Sequence, residues 1–88
     1  ESIMCLTYTV KSGGTLQGKD KQEIALALYD LSLAPSSSFV GWMHDTANRI
    51  HLQFGYDIVL PDTYASHTIA TAFVTQLEQY GLLIKTEN

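Results

Sequence analysis

Cysteine is almost missing from this chain, since Cys5 is the only one among 88 residues. A lone thiol cannot close an internal disulfide, and it cannot provide the several sulfur ligands of a structural zinc module. Disulfide scaffolds and cysteine-rich zinc fingers are therefore excluded. A reducing, cytoplasmic setting is the expectation for such a chain.

Long apolar runs are missing as well. The charge-free stretch from Leu31 to His44 is broken by Pro35 and a run of serines, whereas a membrane span needs about 20 apolar residues. The sequence therefore predicts no membrane helix. With 45% hydrophobic residues in 88 positions, it predicts one globular domain over residues 1–88.

Charged side chains are scarce, and the few present are mostly acidic. Asp, Glu, Lys and Arg make up 16% of the residues and give a net charge of −4, against about 25% charged residues in a typical soluble domain. Uncharged polar groups cost less to remove from water than ions do. The composition therefore favours a surface that another protein covers.

Hydrophobic periodicity predicts three helices enclosed by two strands. The expected elements are a strand over 3–11, a loop over 12–18, helices over about 21–34, 39–54 and 63–80, and a strand over 82–86. The apolar segment 56–60 is too short for a helix and is either a packed connector or a brief strand. Pairing of the terminal strands gives an α+β fold, β-α-α-α-β, in which three helices cover a small antiparallel ribbon.

Polar and glycine residues mark the predicted helix ends. Asp20 and Glu23 form a capping box that begins the first helix. One of Ser36, Ser37 and Ser38 caps the start of the second helix, and Gly55 ends it. Asp62 or Thr63 caps the start of the third helix, and Gly81 ends it.

Apolar positions at helical spacing predict the core. They are Ile24, Ala27, Leu28 and Leu31 in the first helix, Phe39, Met43, Ala47, Ile50 and Phe54 in the second, and Ala65, Ile69, Ala72, Phe73, Leu77 and Tyr80 in the third. A second row in the first helix, Leu26, Tyr29 and Leu33, lies outside this stripe. A domain of this size buries only about 60–65% of its surface, so we expect some apolar side chains to contact another molecule.

The stretch from Thr68 to Lys85 is a helix ending in Leu77-Glu78, followed by two residues, Gly81 and an aliphatic strand. It resembles the recognition helix and first wing strand of a winged helix-turn-helix protein. The resemblance implies a DNA-binding regulator with a winged-helix C-terminal half. The helix over 63–80 contains no Lys or Arg, however, and duplex binding depends on cations that neutralise phosphates. The residues themselves therefore argue against a nucleic-acid partner.

Patterns typical of catalysis and metal binding are not found. His44 and His51 are seven positions apart, about 10 Å along a helix, whereas paired metal ligands stand at i, i+4. His67 lies on another helix. Ser37, His44 and Asp45 do not form a triad, because neighbouring helical residues point about 100° apart. We therefore expect no enzymatic activity, no cofactor and no metal.

Two surfaces have the composition of a protein interface. On the second helix, Trp42 and Leu52 fall outside the core stripe, with Asp45 and Arg49 between them as an i, i+4 ion pair. Tryptophan and arginine are enriched among interface hot spots, and a Trp42 packed in the core is the alternative left open. The third helix has a nearly uncharged outward face. The candidate partner-binding residues are Trp42, Asp45, Arg49, Leu52, Tyr64, His67 and Thr71.

These observations predict a small, acidic, non-enzymatic protein-interaction module that acts by occluding a partner protein. Adaptors, immunity proteins, antitoxins and phage-type inhibitors from bacteria or phages are modules of this kind. The sequence does not identify the partner, and a homodimer is one expected form because two-fold pairing is the commonest assembly of identical chains. The alternative is the winged-helix-like DNA-binding regulator.

Overall fold

A computed structural model describes residues 5–11, 13–32 and 38–86 of the chain. Its elements, in order, are β1 (Leu6–Val10), β2 (Thr15–Gly18), α1 (Lys21–Leu31), α2 (Phe39–Phe54), α3 (Ser66–Gln79) and β3 (Leu83–Thr86). The predicted α+β fold, with paired terminal strands and three helices between them, is confirmed. Among the described residues, no helix has the length and apolar character needed to cross a membrane.

The sheet has three antiparallel strands in the order β2-β1-β3. Tyr8 at its centre lies opposite Leu16 on β2 and Lys85 on β3. The prediction of a loop up to Gly18 is wrong, because residues 15–18 form β2. Gly13 and Gly14 reverse the chain with φ angles of 115° and 101°, which glycine adopts freely, and four residues are too few to give a periodic strand signal.

The core lies between one face of the sheet and the three helices. Its fully buried members include Tyr8 and Leu16 from the sheet and Phe73 from α3. On α1 and α3 the buried face is wider than the predicted stripe. It also includes Ala25, Ala70 and Val74, which lie next to that stripe. The remaining members of the core are Ile24, Trp42, Met43, Ala47, Ile69, Leu77 and Leu83.

Four predicted core residues lie at helix ends instead of inside the protein, and two of them, Ala65 and Tyr80, are the exposed caps of α3. Leu31 at the end of α1 is 60% exposed, and Phe54 at the end of α2 is 50% exposed. Both keep the helical spacing of the core stripe, but the helices extend beyond the layer that covers them. Leu33, from the second apolar row of α1, lies outside the described residues.

The start of α1 follows the predicted capping box. The Asp20 carboxylate accepts a hydrogen bond from the Glu23 backbone N–H at 3.0 Å, and the Glu23 carboxylate accepts one from the Lys19 N–H at 2.8 Å. Gly18 lies so close to α1 that a Cβ placed on it would be 2.5 Å from the Glu23 Cβ. The last residue of β2 is thus packed directly on the first turn of α1.

The ends of α2 also agree with the sequence, whereas the start of α3 does not. Ser38 caps α2 through its hydroxyl, and Gly55 ends it in the left-handed conformation. The predicted caps of α3, Asp62 and Thr63, are wrong. The N-cap is Ala65, which has no polar side chain, and the Thr63 hydroxyl accepts from the Ala65 N–H in the turn before the helix.

The segment after α2 is a connector without secondary structure. The Gln76 side chain holds it, because its amide oxygen accepts from the Val59 N–H at 2.7 Å and its NH₂ donates to the Val59 carbonyl at 2.6 Å. Phe54 stacks on Tyr56, and Tyr56 stacks on Tyr80 at 4.5 Å. The ends of α2 and α3 are therefore tied together by rings.

Candidate functional site

Trp42 belongs to the core of the domain. It is 3% exposed, and its ring lies 5.3 Å from that of Tyr29 and 5.6 Å from that of Phe73, both edge-on. Phe39 stacks on it from one turn earlier in α2. The prediction of a Trp42 interface anchor is therefore wrong, because α1 and α3 cover the side of α2 that carries it.

The other predicted residues on α2 point into solvent. Leu52 is 74% exposed, and Asp45 and Arg49 are also exposed. The predicted ion pair between Asp45 and Arg49 is not formed: in the part of the chain that is described, the only ionic contacts are Lys21–Glu78 and His51–Asp57. Water competes well with an exposed i, i+4 pair, which is worth only about 0.3–0.5 kcal/mol.

The structure brings two of the three predicted residues near α3 together, His67 and Thr71, and leaves Tyr64 apart from them. Tyr64 is fully exposed in the turn before the helix. The His67 Nδ1 atom is 3.1 Å from the Gln22 side-chain oxygen on α1, and the Thr71 hydroxyl donates to the His67 carbonyl at 2.9 Å. These contacts join α3 to α1 and satisfy the hydroxyl locally. His67 and Thr71 also line an open cavity of about 590 Å³, together with Val59, Pro61, Thr68 and Ala72, whereas Tyr64 does not line it.

Two neighbouring apolar cavities lie between α1, α2 and one end of the sheet. Their volumes are about 440 Å³ and 370 Å³, and both are lined by Val10, Leu28 and Thr46. Because they share these residues and open to solvent, they are two lobes of one groove. We call it the α1–α2 groove; Leu31 lies at one lobe, and Ile50 and Phe54 line the other.

The groove exists because α1 and α2 meet only over part of their length. The contact between them is the aromatic cluster of Tyr29 with Phe39 and Trp42, at the first half of α2. Helix α2 has 16 residues, about 24 Å at 1.5 Å per residue, and extends beyond that cluster. The ring stack at Phe54 fixes its far end against α3. Apolar side chains of its second half thus remain half-covered.

The groove is positively charged, although the chain as a whole is acidic. Lys11 lines one lobe, Arg49 lines the other, and no carboxylate from the described ranges lines either. Neither cation pairs with a carboxylate of the residues that the structure describes. The groove therefore combines an apolar wall with two cations that have no carboxylate partner among the described residues.

A second, polar cleft of about 460 Å³ lies on the other side of α2. His44, Asn48, His51 and Asp57 line it, and the His51 Nδ1 atom is 3.0 Å from the Asp57 carboxylate. A histidine held by a carboxylate is part of a hydrolytic triad, but none of the described residues that line this cleft is a Ser, Thr or Cys. The described residues also contain no group of three His, Cys, Asp or Glu placed to hold a metal.

A partly buried polar cluster joins β1 to α1 and α3. The Tyr8 hydroxyl donates to the Glu78 carboxylate at 3.3 Å, and the Lys21 ammonium donates to the Thr75 hydroxyl at 2.7 Å while lying 4.0 Å from the same carboxylate. Burial, and to a smaller extent Glu78, raises the pKa of the Tyr8 phenol above its usual value. This cluster connects the three elements.

Comparison of the chain with protein-family models, curated proteins and solved structures found no match. The groove is thus the strongest pointer to function. Among the groove residues, the sequence pattern predicts Arg49 as a partner-binding candidate and assigns Leu28, Leu31, Ile50 and Phe54 to the core. The signal that could have separated Leu31 and Phe54 from the core is their position in the last turn of each helix.

Proposed function

We propose that this chain is a small, non-enzymatic protein-binding module and that the α1–α2 groove receives its partner. The observation that carries the proposal is the groove itself, with exposed Leu31 at one lobe and exposed Phe54 with half-covered Ile50 at the other. Contiguous apolar surface in a soluble domain is typical of a binding site, and apolar grooves between helices receive peptide segments in other proteins.

In this role the chain acts by occluding the partner and needs no cofactor. An adaptor, an immunity protein, an antitoxin or a phage-type inhibitor in the cytoplasm would work in this way. The low charge content supports the proposal, because a surface with few ions is cheaper to cover.

A partner-capture experiment tests the proposal. The chain is immobilised and exposed to an extract of the organism that encodes it, alongside Leu31→Asp and Phe54→Asp at the groove and Leu52→Asp on the solvent side of α2. The expected result is a protein that the wild-type chain and Leu52→Asp retain and that both groove variants lose. Its affinity is then measured with purified proteins, where each groove variant should weaken binding at least about tenfold, or about 1.4 kcal/mol.

All three variants replace side chains that are half or more exposed, so circular dichroism should show the same helix content for each. Equal retention by the groove variants would contradict the proposal. Loss with Leu52→Asp alone would instead place the contact on the face of α2 that bears Asp45 and Leu52.

The winged-helix resemblance keeps DNA binding as the alternative function. The weakness of this alternative is that α3 contains no Lys or Arg. Lys21 on α1 lies beside that helix, but its ammonium already contacts Thr75 and Glu78. Titration with duplex DNA at low and high salt separates the two functions. Salt-sensitive binding at micromolar or lower Kd would favour the regulator, whereas the protein-binding module should give none.

A further inference from the structure

We infer that the α1–α2 groove binds an acidic amphipathic segment of a partner protein, one that places carboxylates beside apolar side chains. This inference rests on the proposed protein-binding function and adds the chemistry of the partner.

The charge distribution is the first observation. The chain has five Lys and Arg against nine Asp and Glu, yet the charged residues that line the groove are Lys11 and Arg49. They come from different elements, the turn after β1 and the second half of α2, and one of them lines each lobe. A bound segment therefore meets a cation at both lobes.

The lack of a carboxylate partner for these cations among the described residues is the second observation. Lys11 and Arg49 make no ion pair within residues 5–11, 13–32 and 38–86. Carboxylates on a bound segment would thus gain partners without breaking an internal salt bridge. Complementary charge of this kind raises the association rate and selects against wrong partners, so a segment that carries lysines should be rejected.

The shape of the groove favours a polypeptide over a fatty acid. The lobes lie side by side, open to solvent, and share Val10, Leu28 and Thr46 as a common wall. A helix or extended chain lying across that wall places one apolar side chain in each lobe. A small ligand that is buried over most of its surface needs a more enclosed cavity.

A second copy of the chain is the rival occupant. Its connector from Asp57 to Asp62 is an apolar segment between two carboxylates, and Val59 within it is 72% exposed. The Gln76 side chain already holds the Val59 backbone, which fixes this segment on its own chain. We therefore assign the groove to a different protein.

Fluorescence of Trp42, the only tryptophan and a residue lining one lobe, reports occupancy. Three synthetic peptides share leucines at i, i+3, i+4 and i+7 and differ only in the flanking residues, which are glutamate, glutamine or lysine. The glutamate peptide should bind at least about tenfold more tightly than the lysine peptide at low salt, and added salt should reduce the difference. The double variant Lys11→Glu/Arg49→Glu should reverse this order.

The matched control is Lys19→Glu/Lys85→Glu, which makes the same change in net charge at exposed lysines that do not line the groove. It should keep the wild-type order of the three peptides. The inference is overturned if no peptide binds, if the peptides bind equally, or if the control variant reverses the order as well. Leu31→Asp could abolish binding of a partner while the groove shows no preference for carboxylate-bearing peptides. That outcome would overturn this inference and leave the proposed function intact.

Sedimentation of the isolated chain tests the rival occupant. A monomer is expected over the concentration range of the titration. A dimer that Val59→Asp dissociates would assign the groove to a second copy and overturn the inference. Tight binding of dodecanoate that shifts Trp42 fluorescence and displaces the glutamate peptide would assign it to a fatty acid and overturn it too.

Discussion

Replacement of Thr46 by valine should stabilise the protein. The Thr46 hydroxyl oxygen is inaccessible to solvent and, among the described residues, has no hydrogen-bond partner. A buried polar group without a partner costs about 1–3 kcal/mol. Valine has nearly the same shape, and its helix propensity is close to that of threonine, so Thr46→Val removes the cost without opening a cavity.

We expect Thr46→Val to raise the free energy of unfolding by about 1 kcal/mol or more. For a domain of this size, each 1 kcal/mol corresponds to a rise of about 4–8 °C in Tm. Urea unfolding followed by circular dichroism, together with calorimetry, measures both quantities.

The matched control is Thr75→Val on α3. The Thr75 hydroxyl accepts a hydrogen bond from Lys21 at 2.7 Å, so its loss should destabilise the protein by about 0.5–1.5 kcal/mol. If Thr46→Val is neutral or destabilises as Thr75→Val does, the Thr46 hydroxyl has a partner in solution, and the wall between the two lobes differs from the one described.

Three further changes test the fold. Trp42→Ala should lower the free energy of unfolding by about 3–5 kcal/mol in a urea titration, because a large ring is removed from the core; a loss under about 1 kcal/mol would show that the ring is not packed. Gly18→Ala should cost about 1–3 kcal/mol in the same titration, since its Cβ would meet Glu23, and an unchanged midpoint would contradict that contact. The raised pKa of Tyr8 disfavours the phenolate in the folded state, so stability should be unaffected by this group below about pH 10 and should fall as the pH rises beyond it. Unfolding measured from pH 7 to 11 should show a smaller decline for Tyr8→Phe, and equal declines would refute the effect.

The parts of the fold that depend on local signals could be predicted from the sequence. Asp20 and Ser38 begin helices because their side chains accept hydrogen bonds from backbone N–H groups of the first turn. Gly55 ends a helix because, without a side chain, it adopts the left-handed conformation. The pairing of the terminal strands followed from the need of a short strand for a partner. These rules act over a few residues and need no knowledge of packing.

The parts that depend on packing could not be predicted. Trp42 is buried because α1 and α3 close over its side of α2, and the helical projection of α2 alone does not contain that information. Helix α3 begins at Ser66 without a side-chain cap, so the cap signals at Asp62 and Thr63 misplaced it. The groove was missed for a related reason: Leu31 and Phe54 keep core spacing, and only the helix lengths leave them exposed.

Site-specific photo-cross-linking is the most direct test of the groove as the binding surface. A photoreactive amino acid replaces Leu31 or Phe54 at the groove in one set of variants, and Leu52 or Tyr64 elsewhere on the surface in another. Each variant is irradiated with the extract used for capture. We predict that Leu31 and Phe54 cross-link to one defined protein, at an apolar segment rich in Asp or Glu, and that Leu52 and Tyr64 do not. Cross-links from Leu52 or Tyr64 alone, or none from either groove position, would contradict the account.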